Sequence, residues 1–79
     1  MYKVVIKVQL IYSEDIKNKA RKMIKGGTII GIAIFIIETG EVTDIKYNEQ
    51  EARLYCLSHN IKDDTIYASM AIKLQEVLL

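Results

Sequence analysis

Hydrophobic and polar positions alternate at the start of the chain. Tyr2, Val4, Ile6, Val8, Leu10 and Tyr12 share one side, and Lys3, Val5, Lys7, Gln9 and Ile11 share the other. A period of two marks a half-buried strand, so residues 2–12 are predicted to form one. Ser13 then offers an N-cap, and Glu14 and Asp15 sit where a helix dipole favours negative charge. Ile16, Ala20, Met23 and Ile24 recur at helical spacing before Gly26–Gly27, which predicts a helix over 14–25. Residues 28–37 return to alternation. Ile30, Ile32, Ile34 and Ile36 face one way; Ile29, Ala33, Phe35 and Ile37 face the other, with Gly31 among them. Both faces are apolar, as in a central strand covered on both sides. Glu38-Thr39-Gly40-Glu41 reads as a hairpin connection with Gly40 free to take a positive φ, and 42–47 as a shorter, more polar edge strand.

Asn48 and Glu51 stand at capping-box spacing ahead of a helix from about Glu49 to Ser58, ending near His59–Asn60. Asp63 or Asp64 offers a second cap, which predicts a last helix running to the C-terminus. On that helix Ile66, Val77, Met70, Leu74, Tyr67, Leu78 and Ala71 fill an arc of about 140°, and Ala68, Leu79 and Ile72 form a second apolar group beyond Gln75. The expected fold is a single α+β domain over 1–79 in the order β-α-β-β-α-α. Its crossover is long enough to set the first two strands parallel, giving a three-stranded mixed sheet packed against helices.

Composition narrows the function classes. The 79 residues are 51% apolar and 27% charged with a net charge of +1, the balance of a globular chain rather than a disordered one. One cysteine excludes an intramolecular disulfide, and one histidine leaves too few ligands for the usual Cys/His zinc site. The longest apolar stretch, Thr28–Ile37, is well short of the ~20 residues that span a bilayer, so no membrane association is expected. Lys7 interrupts any leader-like hydrophobic run, which makes the cytoplasm the expected location. Ile, Lys, Asn and Tyr fill 31 of the 79 positions, a bias toward AT-rich codons. It suggests an AT-rich microbial or viral genome; for a viral or mobile-element protein the location is a host cytoplasm.

Charge divides along the chain. Residues 1–37 carry a balance of +5 and residues 38–79 one of −4. Within the basic half, Lys17, Arg21, Lys22 and Lys25 line one side of helix 14–25, opposite its apolar residues. Such a face could neutralise phosphates, which makes it a candidate nucleic-acid face. It equally suits a solvated helix whose cations gather toward the C-terminal end of the dipole. No DNA- or RNA-reading motif accompanies it.

Other chemistry is sparse. Cys56 and His59 are three apart on one helix and could touch, but nothing supplies a third group to orient the base. Gly26-Gly27-Thr28-Ile29-Ile30-Gly31 follows a helix and precedes a strand, the reverse of a phosphate cradle. The acids Glu38, Glu41, Asp44, Glu49 and Glu51 gather in turns and at an edge, where ordinary pKa values are expected. The chain is therefore expected not to be an enzyme, and to use no cofactor or metal.

What exceeds the needs of a small core is apolar surface. Leu54, Leu57, Ala68, Ile72 and Leu79 are expected to form an oligomer interface, most simply in a two-fold homodimer. The expected function is a small non-catalytic interaction protein, acting through self-association and an unidentified protein partner, as a viral or mobile-element regulator of a host factor. Nucleic-acid binding through the face of helix 14–25 is the alternative.

Overall fold

A computed structural model describes residues 9–62 and 66–79. Helix α1 spans Glu14–Lys25, capped by Ser13, whose hydroxyl accepts the Ile16 N–H at 3.4 Å. Strand β1, Ile30–Ile36, and strand β2, Val42–Lys46, form the expected hairpin, with Gly40 at φ +77°. Helix α2 spans Glu49–Lys62, longer than the predicted 49–58, and Asn48 Oδ1 accepts the Glu51 N–H at 2.9 Å. Strand β3, Tyr67–Lys73, and a one-turn helix α3, Leu74–Val77, complete the chain.

The sheet order is β2-β1-β3, and both pairings are antiparallel. This corrects two expectations. The sheet is not mixed: its third strand comes from the C-terminal segment, which returns antiparallel beside β1. The predicted strand 2–12 lies largely outside the described residues, and among the described residues parallel pairing is confined to the isolated bridge Ile11–Glu41. The second correction concerns the last helix. Its proposed caps, Asp63 and Asp64, lie outside the described residues, and the segment expected to be helical is strand β3 followed by the short α3.

The cause is tertiary demand. β1 is buried on both faces, and β2 pairs only one of its edges, so the other edge needs hydrogen-bonding partners. Residues 67–73 fit that role as well as they fit a helix. Ala68, Met70 and Ile72 alternate with Tyr67, Ser69, Ala71 and Lys73, and Ile72 is buried with the core rather than set on an outer helix face.

Helices cover both faces of the sheet. Ile16, Ala20 and Met23 of α1 pack with Leu74 and Val77 of α3 against Ala33, Phe35 and Ile45. On the opposite face Ala52 of α2 closes over Ile32 and Ile34, flanked by Tyr55, Cys56 and Tyr67. Gly31 permits the close fit on the first side. A methyl group there would lie 2.7 Å from Ile45 Cγ2 and 2.9 Å from Leu74 Cδ2.

Candidate functional site

Helix α2 carries its functional potential on the side turned from the sheet. Leu54 and Leu57 are 61% and 56% exposed, although each is a side chain whose burial is worth about 1.5–3 kcal/mol. With Glu49, Gln50 and Arg53 they line a shallow groove of about 500 Å³. The helix forms because its opposite side is anchored. Ala52 is fully buried, Tyr55 stacks on His59 at 4.1 Å, and Lys46 of β2 sits 5.3 Å from the Tyr55 ring. At its far end Asn60 binds the backbone of Tyr67, its Oδ1 accepting the N–H at 2.8 Å and its Nδ2 donating to the carbonyl at 3.4 Å.

The five residues expected to form one interface are divided by the fold. Leu54 and Leu57 stand on α2. Ala68 is half-buried against the core on the α1 side, and Ile72 is 8% exposed within that core. Leu79, 96% exposed, follows α3 on the α1 side of the sheet. The surplus apolar surface that sequence periodicity placed on a last helix is thus partly internal.

The basic face of α1 is more engaged than its sequence suggests. Arg21 donates to Asn18 Oδ1 at 2.6 Å and approaches Glu14 at 3.5 Å. Lys17 is half-buried, while Lys22 and Lys25 are exposed. Lys19, outside that group of four, reaches across to the Asp44 carboxylate of β2. Burial alone would raise the Asp44 pKa. Hydrogen bonds from Lys19, Lys46 and the Ile45 N–H, with the Lys19 charge, reverse this and hold it below its ordinary value.

Among the described residues, reactive groups do not converge. Burial pushes the Cys56 thiol up, the opposite of what an attacking thiolate needs, and the His59 ring is taken up in stacking on Tyr55. Tyr12 is likewise raised, by burial and by the nearby charge of Glu76. Among the described residues no three His, Cys, Asp or Glu side chains could share a metal ion, and no helix is long and apolar enough to cross a membrane. No family model, curated protein or solved structure matches this chain, so its function is argued from its own surface.

Proposed function

We propose that this chain is a small interaction protein that works by self-association and by binding a macromolecular partner, without catalysing a reaction. The observation that carries the reading is the outer side of α2. Leu54 and Leu57 are more than half exposed beside a groove that also holds Arg53 and Glu49. Adjacent large aliphatic side chains framed by charge are the make-up of an interface centre with a polar rim.

Light scattering over a concentration series tests it. The mass is expected to rise from the 9.1 kDa of one chain toward twice that value. Leu54→Glu with Leu57→Glu is expected to weaken the rise without unfolding the chain, because neither side chain belongs to the core. A wild type that remains at 9.1 kDa at every concentration would overturn self-association.

A further inference from the structure

The backbone of β3 has two edges, and the hydrogen bonds at its ends show which residues serve each. Ile37 N–H donates to the Ile66 carbonyl at 3.1 Å, and Leu74 N–H donates to the Ile29 carbonyl at 3.0 Å. In an antiparallel ladder such paired residues recur every second position. Between those bonds, Ala68, Met70 and Ile72 therefore turn their N–H and C=O groups toward β1, opposite Phe35, Ala33 and Gly31. Tyr67, Ser69, Ala71 and Lys73 turn theirs outward.

Asn60 independently verifies this parity, since it binds the N–H and C=O of Tyr67 from the outer side. It also closes the edge at that end. At the other end Lys73 is the N-cap residue of α3, so its carbonyl is directed into the helix. Between these stops lie Ser69, Met70 and Ala71, all exposed, with no bulge in their register to β1 and no charged side chain among them. The outward N–H and C=O groups of Ser69 and Ala71 have no hydrogen-bond partner among the described residues. A straight, uncharged, open edge of this kind is a template for another strand.

We infer that this edge is where two copies of the chain pair, β3 against β3, antiparallel about a two-fold axis at Met70. The inference rests on the self-association reading and gives it a location. With the axis at Met70, Ser69 of each copy faces Ala71 of the other, and each such pair closes both of its outward hydrogen bonds. Only groups without a partner among the described residues are used. An axis at Ala71 would instead match Ser69 with Lys73, whose carbonyl is directed into α3. The Met70 register also sets Lys73 opposite Tyr67 of the second copy, a cation facing an aromatic ring.

Helix α2 supports the same occupant. Asn60 marks its β3 side and Tyr55, beneath Lys46, marks its β2 side. At about 100° per residue, Glu49, Arg53 and Leu57 fall on the Asn60 side, forming a stripe beside the open edge. Glu49 and Arg53 are exposed, and neither makes an ion pair with a described residue. Ala52 lies over Ile32 and Ile34, which flank Ala33, the partner of Met70, so Arg53 is level with the axis and Glu49 lies about one helical turn away. The axis therefore gathers two acids and two bases, with the Arg53 side chains nearest each other and each Glu49 a turn from the other copy's Arg53. This balanced set favours a second copy over an unrelated strand.

Two variants of the full chain test the inference. In Ala71→Pro the lost N–H is an outward one, so pairing with β1 survives while the edge is blocked. Light scattering is expected to show dimerisation at least tenfold weaker, with the circular dichroism of the single chain retained. In Met70→Cys, made with Cys56→Ser, the two new thiols would sit at a close pair position with Cα atoms about 4.5 Å apart. Air oxidation is expected to link the copies there and not in a Leu79→Cys control. A wild type that dimerises, with Ala71→Pro dimerising equally or Met70→Cys failing to cross-link, would overturn the β3 interface and leave self-association standing. A wild type that stays at 9.1 kDa removes both.

Discussion

The two edges of the sheet differ in kind. Beyond β2, the Val42 N–H is taken by the Ile11 carbonyl at 3.0 Å. A register shift opposite Ile34 and Phe35 then makes Thr43 an extra, bulged residue. Asp44 accepts the Ile45 N–H at 2.7 Å through its own side chain and draws Lys19 of α1 across the edge, with Lys46 at 3.1 Å. Bridge, bulge and charge are each known ways of preventing an edge from pairing. The β3 edge has its Asn60 clamp at one end and α3 at the other, and between them the described residues supply none of these devices. This contrast between a guarded and an open edge is what sets the inferred pairing at β3.

The largest effect that would sharpen this contrast comes from moving a proline by one residue. Met70 directs its N–H into β1, so Met70→Pro breaks an interior ladder and leaves the Ala33 carbonyl without its donor. Urea unfolding is expected to show a loss of about 3 kcal/mol, enough to unfold much of a small domain. Ala71→Pro, one position on, is expected to cost less than about 1 kcal/mol. Equal costs would show that the two sides of β3 have been assigned wrongly.

Next in size is Gly31→Ala, at the centre of the strand that both edges share. The added methyl meets Ile45 Cγ2 of β2 and Leu74 Cδ2 at the start of α3, both within 3 Å. A destabilisation of about 1–3 kcal/mol is expected from overpacking. Unchanged stability would mean that the β2 and β3 sides of the core can separate without cost.

The guard at β2 is electrostatic, and pH should remove it. The Asp44 pKa is lowered in the fold, so its contribution is fully present above the unfolded carboxylate pKa of about 4 and is lost as pH falls through the folded value. Asp44→Asn is expected to cost about 1–2 kcal/mol at neutral pH and to flatten the acid limb of the stability curve. It should also unlatch Lys19 from the edge. A variant whose acid limb matches the wild type would show that Asp44 is not the group responsible.

Much of this architecture was legible in residue order, and the failures have a common cause. Helix α1 with its Ser13 cap, the buried β1, the Gly40 turn and the Asn48 cap of α2 are local signals, read from neighbours in sequence. Residues 67–73 read locally as a helix because Ala, Met and Lys suit one, and their spacing satisfies both periods. What decided the matter was the unpaired edge of β1, a demand that no local window contains. The candidate surface shifted for the same reason. Leu54 and Leu57 are exposed as their helical spacing implied, but Ile72 became core once its segment became a strand. The open edge itself has no sequence signature beyond the absence of charge from Ser69 to Ile72. Its parity depends on hydrogen bonds to a distant strand and on Asn60.

The smallest effect is the one most specific to a two-fold arrangement. Arg53 and Glu49 are exposed and share a stripe on α2, so reversing one charge should alter stability by no more than about 0.5 kcal/mol. Arg53→Glu makes the stripe uniformly acidic, and an antiparallel copy then meets like charge with like. Dimerisation is expected to weaken roughly three- to tenfold, with the loss diminishing as salt is raised. Adding Glu49→Arg restores one acid and one base per stripe with their places exchanged. In a pairing between identical, oppositely running stripes that exchange is nearly neutral, so the double variant should recover most of the lost affinity. A partner with its own fixed charges would reject it as firmly as the single variant. Sedimentation of both variants at two salt concentrations therefore distinguishes a self-complementary contact from one shaped for another protein, and failure of the exchange to restore pairing would remove α2 from the dimer interface.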